Sequence, residues 1–305
     1  MDIHDTLTVD DPILPSAPIA RDAAPALCHH DDGRGQSCAW YHGVLPYMRF
    51  LQTTVDPACH GWFFLDNFRA LARSGAFPRV LVSGAADHAM AAHVIAGYRL
   101  GGAEPAITVV DQCETPLLLN RWYAGRASAD VQTTAASILD FRPRTLFDVI
   151  CTHCFLGYFD PRTRPLVIRA WYDWLRPGGK VVTVTGIRRG FTGTMIRFSP
   201  EQADAYVERV VDRARRHVGA LDVDVQTLAG WARTYTDRFW NYPTYSEDEL
   251  REMFEVAGFT IDHIRTGLID NGLVDGQRHK GGAGNGLQGP SVRGAIEYTS
   301  IVATR

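Results

Sequence analysis

The sequence predicts an α/β fold in which helices cover both faces of a doubly wound, mostly parallel sheet. Short apolar segments alternate with amphipathic segments between residues 79 and 186, a pattern typical of consecutive β-α-β units. Crossovers of this kind are right-handed, so they place helices on both faces of one sheet. A ligand is therefore expected beyond the carboxyl ends of the strands.

Seven segments have the apolar runs or the alternation that strands require. They are residues 79–84, 106–111, 131–136, 146–153, 180–186, 260–269 and 295–304. Helical periodicity follows at residues 87–100, 115–126, 161–175, 199–218 and 246–259. Capping boxes open two of these helices, Ser199 with Gln202 and Ser246 with Glu249. Thr115 is expected to cap the second helix, with Pro116 as its first residue.

The remaining parts of the chain have different compositions. Residues 1–39 are rich in Pro, Asp and Gly and are predicted to be irregular. Aromatic and apolar residues at helical spacing predict an N-terminal helical cap over residues 40–78. The strand pattern breaks after Gly186, and a helical insertion is expected at about residues 191–245, whereas residues 274–290 are expected to form a flexible loop.

Composition and charge exclude several classes of function. The net charge is −3 and no extended basic face is present, so nucleic acid is not an expected partner. No signal peptide and no run of about 18 apolar residues occurs, so we expect no membrane association and a cytoplasmic location. The six cysteines are then interpreted as reduced, buried thiols. No metal site is expected, because Cys151, His153 and Cys154 lack a second matching pair of ligands. A homodimer is compatible with the sequence.

The segment "RVLVSGAADHAM" combines a buried strand, a small-residue loop and a helix. Gly84 lets the backbone approach a ligand closely, and Asp111, at the end of the next strand, can accept hydrogen bonds from ribose hydroxyls. A dinucleotide fingerprint would need further glycines, and Asp87 would repel a pyrophosphate. Asp87 suits a cationic ligand group, or it caps the following helix, or both. An NAD-dependent oxidoreductase is thus the less favoured alternative.

Several segments together resemble the class I S-adenosylmethionine-dependent methyltransferases. The matching stretches are "RVLVSGAA", "ITVVDQ", "AASILDF", "FDVICTHCFLGYF" and "WLRPGGKVVTVTG", with "SEDELREMFEVAGFTIDHI" matching a late helix and strand. The resemblance implies a Rossmann-like methyltransferase domain over residues 79–305, with seven strands of which the last is antiparallel. It also implies S-adenosylmethionine as the cofactor.

The resemblance assigns roles to residues that match the family's motifs. Gly84, Ala85 and Ala86 would lie under the methionine moiety, and Asp111 would hold the ribose hydroxyls. The full set of residues expected to bind the cofactor is Ser83, Gly84, Ala85, Ala86, Asp87, Asp111, Gln112, Cys113, Ser137, Ile138, Thr152 and His153. The family usually has an acid where Val82 stands and glycines where Ala86 and His88 stand. A non-catalytic cofactor-binding or scaffold protein is therefore kept as an alternative.

The expected reaction is N- or O-methylation of a small-molecule acceptor, in specialised metabolism. His153 is the first candidate base and Tyr158 the second, with backbone-bonding and wall roles as their alternatives. Aromatic faces attract cations and stack on planar rings, and an arginine pairs with acidic groups. The residues expected to contact the acceptor are Tyr41, His42, Arg188, Trp240 and Tyr242.

Overall fold

A seven-stranded sheet forms the centre of the fold. The computed structural model describes residues 9–29, 37–267 and 297–305. The strands are β1 (Arg79–Ser83), β2 (Ala106–Asp111), β3 (Val131–Ala135), β4 (Phe147–His153), β5 (Leu175–Ile187), β6 (Thr260–Gly267) and β7 (Glu297–Thr304). Their order across the sheet is β3-β2-β1-β4-β5-β7-β6. The first five pair in parallel, and β7 runs antiparallel between β5 and β6. The predicted fold class, including the antiparallel last strand, is confirmed.

Ten α-helices lie in the described part of the chain. They are α1 (Ile13–Leu27), α2 (Ala39–His42), α3 (Leu45–Phe50), α4 (Gly61–Arg73), α5 (Ala89–Leu100), α6 (Glu114–Ala127), α7 (Arg164–Trp174), α8 (Pro200–Arg216), α9 (Val225–Arg238) and α10 (Glu247–Val256). None of these helices combines the length and the hydropathy needed to cross a bilayer.

The two faces of the sheet are covered by different helices. Val80 and Val82 of β1 point into a core shared with Phe68 of α4. Leu81, between them, points to the other face and a core that contains Trp171 of α7. Side chains alternate between the faces of a strand, so every other residue of the apolar run reaches each core.

The N-terminal segment corrects one prediction. Residues 13–27 form α1, although residues 1–39 were expected to be irregular. Pro18 and Pro25 lie inside this helix, and the alanines Ala17, Ala20 and Ala24 bury its inner face. Packing of this buried alanine face offsets the cost of the two prolines, which normally interrupt a helix.

Helices α8 and α9 lie in the region expected to be an insertion. They pack on the N-terminal helices in a separate core, where Tyr206 and Leu228 join Tyr47 and Met48 of α3. The capping box predicted at Ser199 and Gln202 forms in full. At the second site Ser246 accepts from the Glu249 amide as expected, but the Glu249 carboxylate accepts from the Tyr245 amide rather than from that of Ser246, so this box is only half formed. The N-terminal helices and the α8–α9 pair together cover the carboxyl end of the sheet.

One helix start differs from the prediction. Helix α6 begins at Glu114 and Cys113 occupies its N-cap position, so the expectation that Thr115 caps it is wrong. The Thr115 side chain is buried and its hydroxyl contacts the sulfur of Cys28 instead. The predicted loop at 274–290 lies outside the described residues.

Candidate active site

A cavity of about 560 Å³ lies beyond the carboxyl ends of the central strands. Its volume is in the range of small-molecule sites. Nine of the twelve predicted cofactor residues line it: Gly84, Ala85, Ala86, Asp87, Asp111, Gln112, Ser137, Ile138 and His153. All five predicted acceptor residues line it as well: Tyr41, His42, Arg188, Trp240 and Tyr242.

The turn after β1 requires its glycine. Gly84 has φ of +75°, and a Cβ there would lie 2.2 Å from the ring of Phe155. Its amide donates to the Val110 carbonyl at 2.8 Å, so the turn is fixed to β2. Gly84 thus brings bare backbone to the cavity floor, between the Phe155 ring and the end of the sheet.

The Asp111 carboxylate organises the adjacent backbone. Its Oδ2 accepts from the Ala85 amide at 3.0 Å, and its Oδ1 accepts from the Cys113 amide at 2.8 Å. Asp111 also lines the cavity, so its carboxylate borders the space in which a ligand would bind. Asp111 therefore joins the two strand-end loops and presents its oxygens between them.

Asp87 belongs to a buried ionic network that the sequence did not reveal. Its Oδ2 accepts from Arg49 Nη1 at 2.6 Å, and its Oδ1 accepts from the Ala89 amide at 2.8 Å. Arg49 also pairs with Asp11 and Asp56. Burial lowers the pKa of Arg49, but the three carboxylates outweigh burial and hold it above its ordinary value. The cation that Asp87 binds in this structure is thus Arg49. Asp87 also accepts from the first amide of α5, but His88 rather than Asp87 occupies the N-cap position of that helix.

Three predicted cofactor residues do not line the cavity, which corrects their expected placement. Ser83 is fully buried, and its hydroxyl accepts from the Trp171 indole at 2.9 Å. Thr152 is 1% exposed and does not line the cavity. Cys113 is also 1% exposed, and its sulfur lies 3.3 Å from that of Cys28. Alternation along a strand explains Ser83 and Thr152, because only one of two successive residues can face the ligand.

His153 lines the cavity and is paired with a second histidine. Its Nε2 lies 3.1 Å from Nδ1 of His60, which itself contacts the ring of Tyr298. Burial lowers the pKa of His153 well below 6.5, and the neighbouring His60 lowers it further. His153 is therefore neutral at physiological pH, the state in which an imidazole can accept a proton.

Aromatic side chains form the opposite wall. The Tyr158 hydroxyl donates to that of Tyr41 at 3.3 Å, and the rings of Tyr206 and Tyr235 stack 5.4 Å apart. Burial raises the pKa of Tyr158, so its hydroxyl stays protonated. Tyr158 is thus placed to donate a hydrogen bond rather than to take up a proton.

A buried arginine holds the segment that carries Trp240 and Tyr242. Arg164 is fully buried and donates to the carbonyls of Leu156, Tyr242 and Pro243 at 2.7–2.9 Å. These bonds fix the segment to the short turn Leu156–Tyr158. The wall is therefore positioned by a residue outside the cavity.

Arg188 and Arg189 differ although they are adjacent. Arg189 is exposed and pairs with Glu297. Arg188 lines the cavity, burial lowers its pKa, and within the described residues its buried Nε has no hydrogen-bond partner. Arg188 is thus available to an anionic or carbonyl group in the cavity.

Sequence reasoning missed Arg49, Asp56 and His60, which line the cavity or contact its residues. Each lies in the segment expected to form a helical cap, outside every matched motif. No local pattern marks them, because their partners are distant along the chain.

No protein-family description and no curated protein matches the sequence. Among solved structures, an S-adenosylmethionine-dependent methyltransferase from Clostridium acetobutylicum aligns with a TM-score of 0.50 at 9% identity, over 85% of this chain and 95% of that one. The 1,6-didemethyltoxoflavin-N1-methyltransferase of Burkholderia thailandensis aligns with a TM-score of 0.48 at 17% identity, over 79% and 78%. The N-methyltransferase NodS of Bradyrhizobium japonicum aligns with a TM-score of 0.42 at 14% identity, over 79% and 85%. The chain therefore has the fold of the class I S-adenosylmethionine-dependent methyltransferases.

Proposed function

We propose that the protein transfers a methyl group from S-adenosylmethionine to a nitrogen or oxygen of a small-molecule acceptor in specialised metabolism. The observation that carries this proposal is how two groups are arranged at the cavity floor. The Gly84 turn and the Asp111 carboxylate meet there, on a fold shared with the Clostridium acetobutylicum methyltransferase.

The residues at the floor fit an adenosyl ligand. Asp111 lines the floor at the end of the second strand, the position from which an acid accepts from ribose hydroxyls in nucleotide sites. Ser137 and Ile138 line the adjoining wall, where an adenine ring would contact an apolar side chain and a hydroxyl. The single glycine of the loop and the carboxylate of Asp87 fit a pyrophosphate poorly, which disfavours NAD.

The ionic network suits the amino-acid end of the same ligand. Arg49 and Asp87 both line the cavity as an ion pair. A guanidinium has five N–H donors, and the network uses one from each of three nitrogens. An α-carboxylate can then bind to Arg49 while an α-ammonium binds to Asp87, so the zwitterion complements the pair.

When bound, the cofactor supplies an electrophilic methyl carbon on a sulfonium. An acceptor lone pair would form the new bond to that carbon, and the electrons of the broken carbon–sulfur bond would remain on sulfur. The chain's residues position the acceptor and exclude water, which accounts for much of the rate of such displacements. His153 lines the cavity in its neutral form and is the candidate to take the proton that the acceptor loses.

The cavity walls indicate the class of acceptor. Tyr206, Tyr235 and Trp240 all line the cavity, and aromatic faces of this kind favour a planar ring as the ligand. Arg188 offers a buried donor at the end of β5. We therefore propose a planar aromatic or heteroaromatic acceptor that carries an acidic or carbonyl group.

A ligand titration tests the cofactor. We expect S-adenosylmethionine and S-adenosylhomocysteine to bind in calorimetry and NAD not to bind. Binding of NAD without the adenosyl ligands would overturn the proposal. Binding of the adenosyl ligands with no methylation across a broad acceptor panel, followed by mass spectrometry, would instead favour a non-catalytic role.

A variant of Asp111 tests the geometry. Asp111→Ala should weaken S-adenosylhomocysteine binding at least about tenfold, because the ribose loses an acceptor worth on the order of 1.5–3 kcal/mol. The matched control is Asp130→Asn, an exposed acid just before β3, which should leave the affinity within about twofold. Because Asp111 also accepts from two backbone amides, circular dichroism should confirm that the variant is folded. Unchanged affinity in a folded variant would show that the ribose binds elsewhere.

A further inference from the structure

Three cysteines and one histidine meet at the edge of the cavity. We call Cys28, Cys38, His42 and Cys113 the thiol cluster. One ligand atom from each residue can be chosen so that all four lie within 4.8 Å of one another. Cys28, His42 and Cys113 are buried, at 2%, 9% and 1% exposure, and Cys38 is half-buried. Such a concentration of soft ligand atoms is far more specific than a lone thiol.

The cluster joins three separate pieces of the chain. Cys28 follows α1 directly, and Cys113 occupies the N-cap position of α6. Cys38 directly precedes α2 and His42 is its last residue, so the pair has the i, i+4 spacing that brings two side chains to one side of a helical turn. The N-terminal helices are thereby brought against the end of β2.

The distances resemble those of a tetrahedral metal site. Zinc bonds of about 2.3 Å to sulfur and 2.0–2.1 Å to nitrogen place ligand sulfurs about 3.8 Å apart, and sulfur and nitrogen about 3.5 Å apart. In the structure, the Cys38 and Cys113 sulfurs are 3.7 Å apart, and the Cys28 sulfur lies 3.6 Å from His42 Nδ1. The Cys28 and Cys113 sulfurs are closer, at 3.3 Å. A small side-chain rotation would lengthen the distance between the Cys28 and Cys113 sulfurs to that of a tetrahedral site.

A second contact supports thiolate chemistry at Cys28. The Thr115 hydroxyl lies 3.1 Å from the Cys28 sulfur, and Thr115 is fully buried. Hydroxyl and amide donors around a metal-bound thiolate orient it and stabilise its charge. The contact also explains why Thr115 turns away from the cap position that the sequence predicted.

We propose that Cys28, Cys38, His42 and Cys113 bind one zinc ion in a closed, structural site. Three thiolates and an imidazole fill the tetrahedral positions, which leaves no position for substrate and distinguishes this site from a catalytic one. The ion fastens the N-terminal helices to the loop that follows β2. Since the Cys113 amide donates to Asp111, the site also supports the floor of the cavity.

Metal content of the full-length protein tests the proposal directly. Protein purified under reducing conditions and dialysed against chelator-free buffer should contain about one zinc ion per chain. Cobalt loaded in its place should give the thiolate-to-metal charge-transfer and tetrahedral d–d absorption bands. Cys28→Ser and Cys113→Ser should lose most of the zinc, whereas the control Cys59→Ser, a buried thiol outside the cluster, should retain it.

Several results would overturn the proposal. The proposal is wrong if the protein contains less than about a tenth of an equivalent of zinc, both as purified and after loading with zinc. A disulfide between Cys28 and Cys113 in non-reducing peptide mapping, or zinc retained at full stoichiometry by both variants, would also overturn it. If these variants fail to fold, the half-buried Cys38→Ser and the cobalt spectrum of the unsubstituted protein still decide the question. None of these measurements depends on methyl transfer, so failure here is distinct from failure of the proposed function.

Discussion

Replacement of Arg49 by methionine should be among the most destabilising single changes in this protein. The guanidinium is 2% exposed and pairs with Asp11, Asp56 and Asp87, whose side chains are 4–6% exposed. Methionine keeps much of the volume but leaves three buried carboxylates facing one another. Breaking a buried ion pair from one side costs about 3–5 kcal/mol. For a chain of 305 residues this corresponds to a fall in Tm of about 5–8 °C.

Urea denaturation followed by circular dichroism, together with calorimetric Tm, would measure this effect. The control is Arg216→Met, which removes an exposed ion pair with Asp212 and should cost less than about 1 kcal/mol. The deficit of the Arg49→Met variant should narrow as the pH falls from about 7 to 5. Unfolded carboxylates stay ionised there, whereas the folded variant gains by taking up a proton, so its unfolding free energy rises relative to that of the unsubstituted protein. Equal stabilities of the two variants, or a deficit that widens in acid, would refute the reasoning.

Three further predictions concern the cavity and its supports. Gly84→Ala places a methyl group against the Phe155 ring at a positive φ and should weaken S-adenosylhomocysteine binding more than about tenfold. A second substitution in the same chain, Phe155→Ala, should restore part of the affinity. An unchanged affinity of the Gly84→Ala variant in calorimetry would contradict this prediction. Arg164→Met removes the hydrogen bonds that hold the segment with Trp240, so it should raise the acceptor KM while leaving the S-adenosylhomocysteine affinity within about twofold. Equal weakening of acceptor and S-adenosylhomocysteine binding would argue against a local role of Arg164. Burial lowers the pKa values of His93 and His153 below 6.5, so the unfolded chain binds protons more readily and the unfolding free energy should fall as pH drops from about 7 to 5. His93→Gln should flatten that dependence in urea titrations, and a slope unchanged by the substitution would exclude His93 as its source.

The strand ends were predictable because they depend on local patterns. An apolar run that stops at Gly84 or at Asp111 marks both the strand and the place where backbone is exposed to a ligand. The orientation of single residues near those ends was not predictable from the same local patterns. Ser83 and Thr152, which the family resemblance assigns to the cofactor site, are buried and do not line the cavity, because successive residues of a strand point to opposite faces of the sheet.

The interactions that shape the cavity from outside could not be predicted. Arg49 meets Asp87 across 38 residues, and Cys28 meets Cys113 across 85. Nothing in the local sequence at Cys28 indicates the second position, so the cysteines were interpreted as separate thiols. Helix α1 was also not predictable, because it is stabilised by packing against distant residues rather than by its own proline-containing sequence.

The position of β7 between β5 and β6 has a consequence for the order in which the chain is made. The ribosome releases β5 and β6 before β7, yet among the described strands β6 pairs only with β7. Until β7 emerges, the edge of β5 is open and β6 has no place to dock, so the nascent chain exposes strand edges that invite pairing with other chains. Chaperones that bind nascent chains should therefore be most needed in this interval. Ribosomes stalled between β6 and β7 should yield protease-sensitive chains, even though the cofactor loops are already complete.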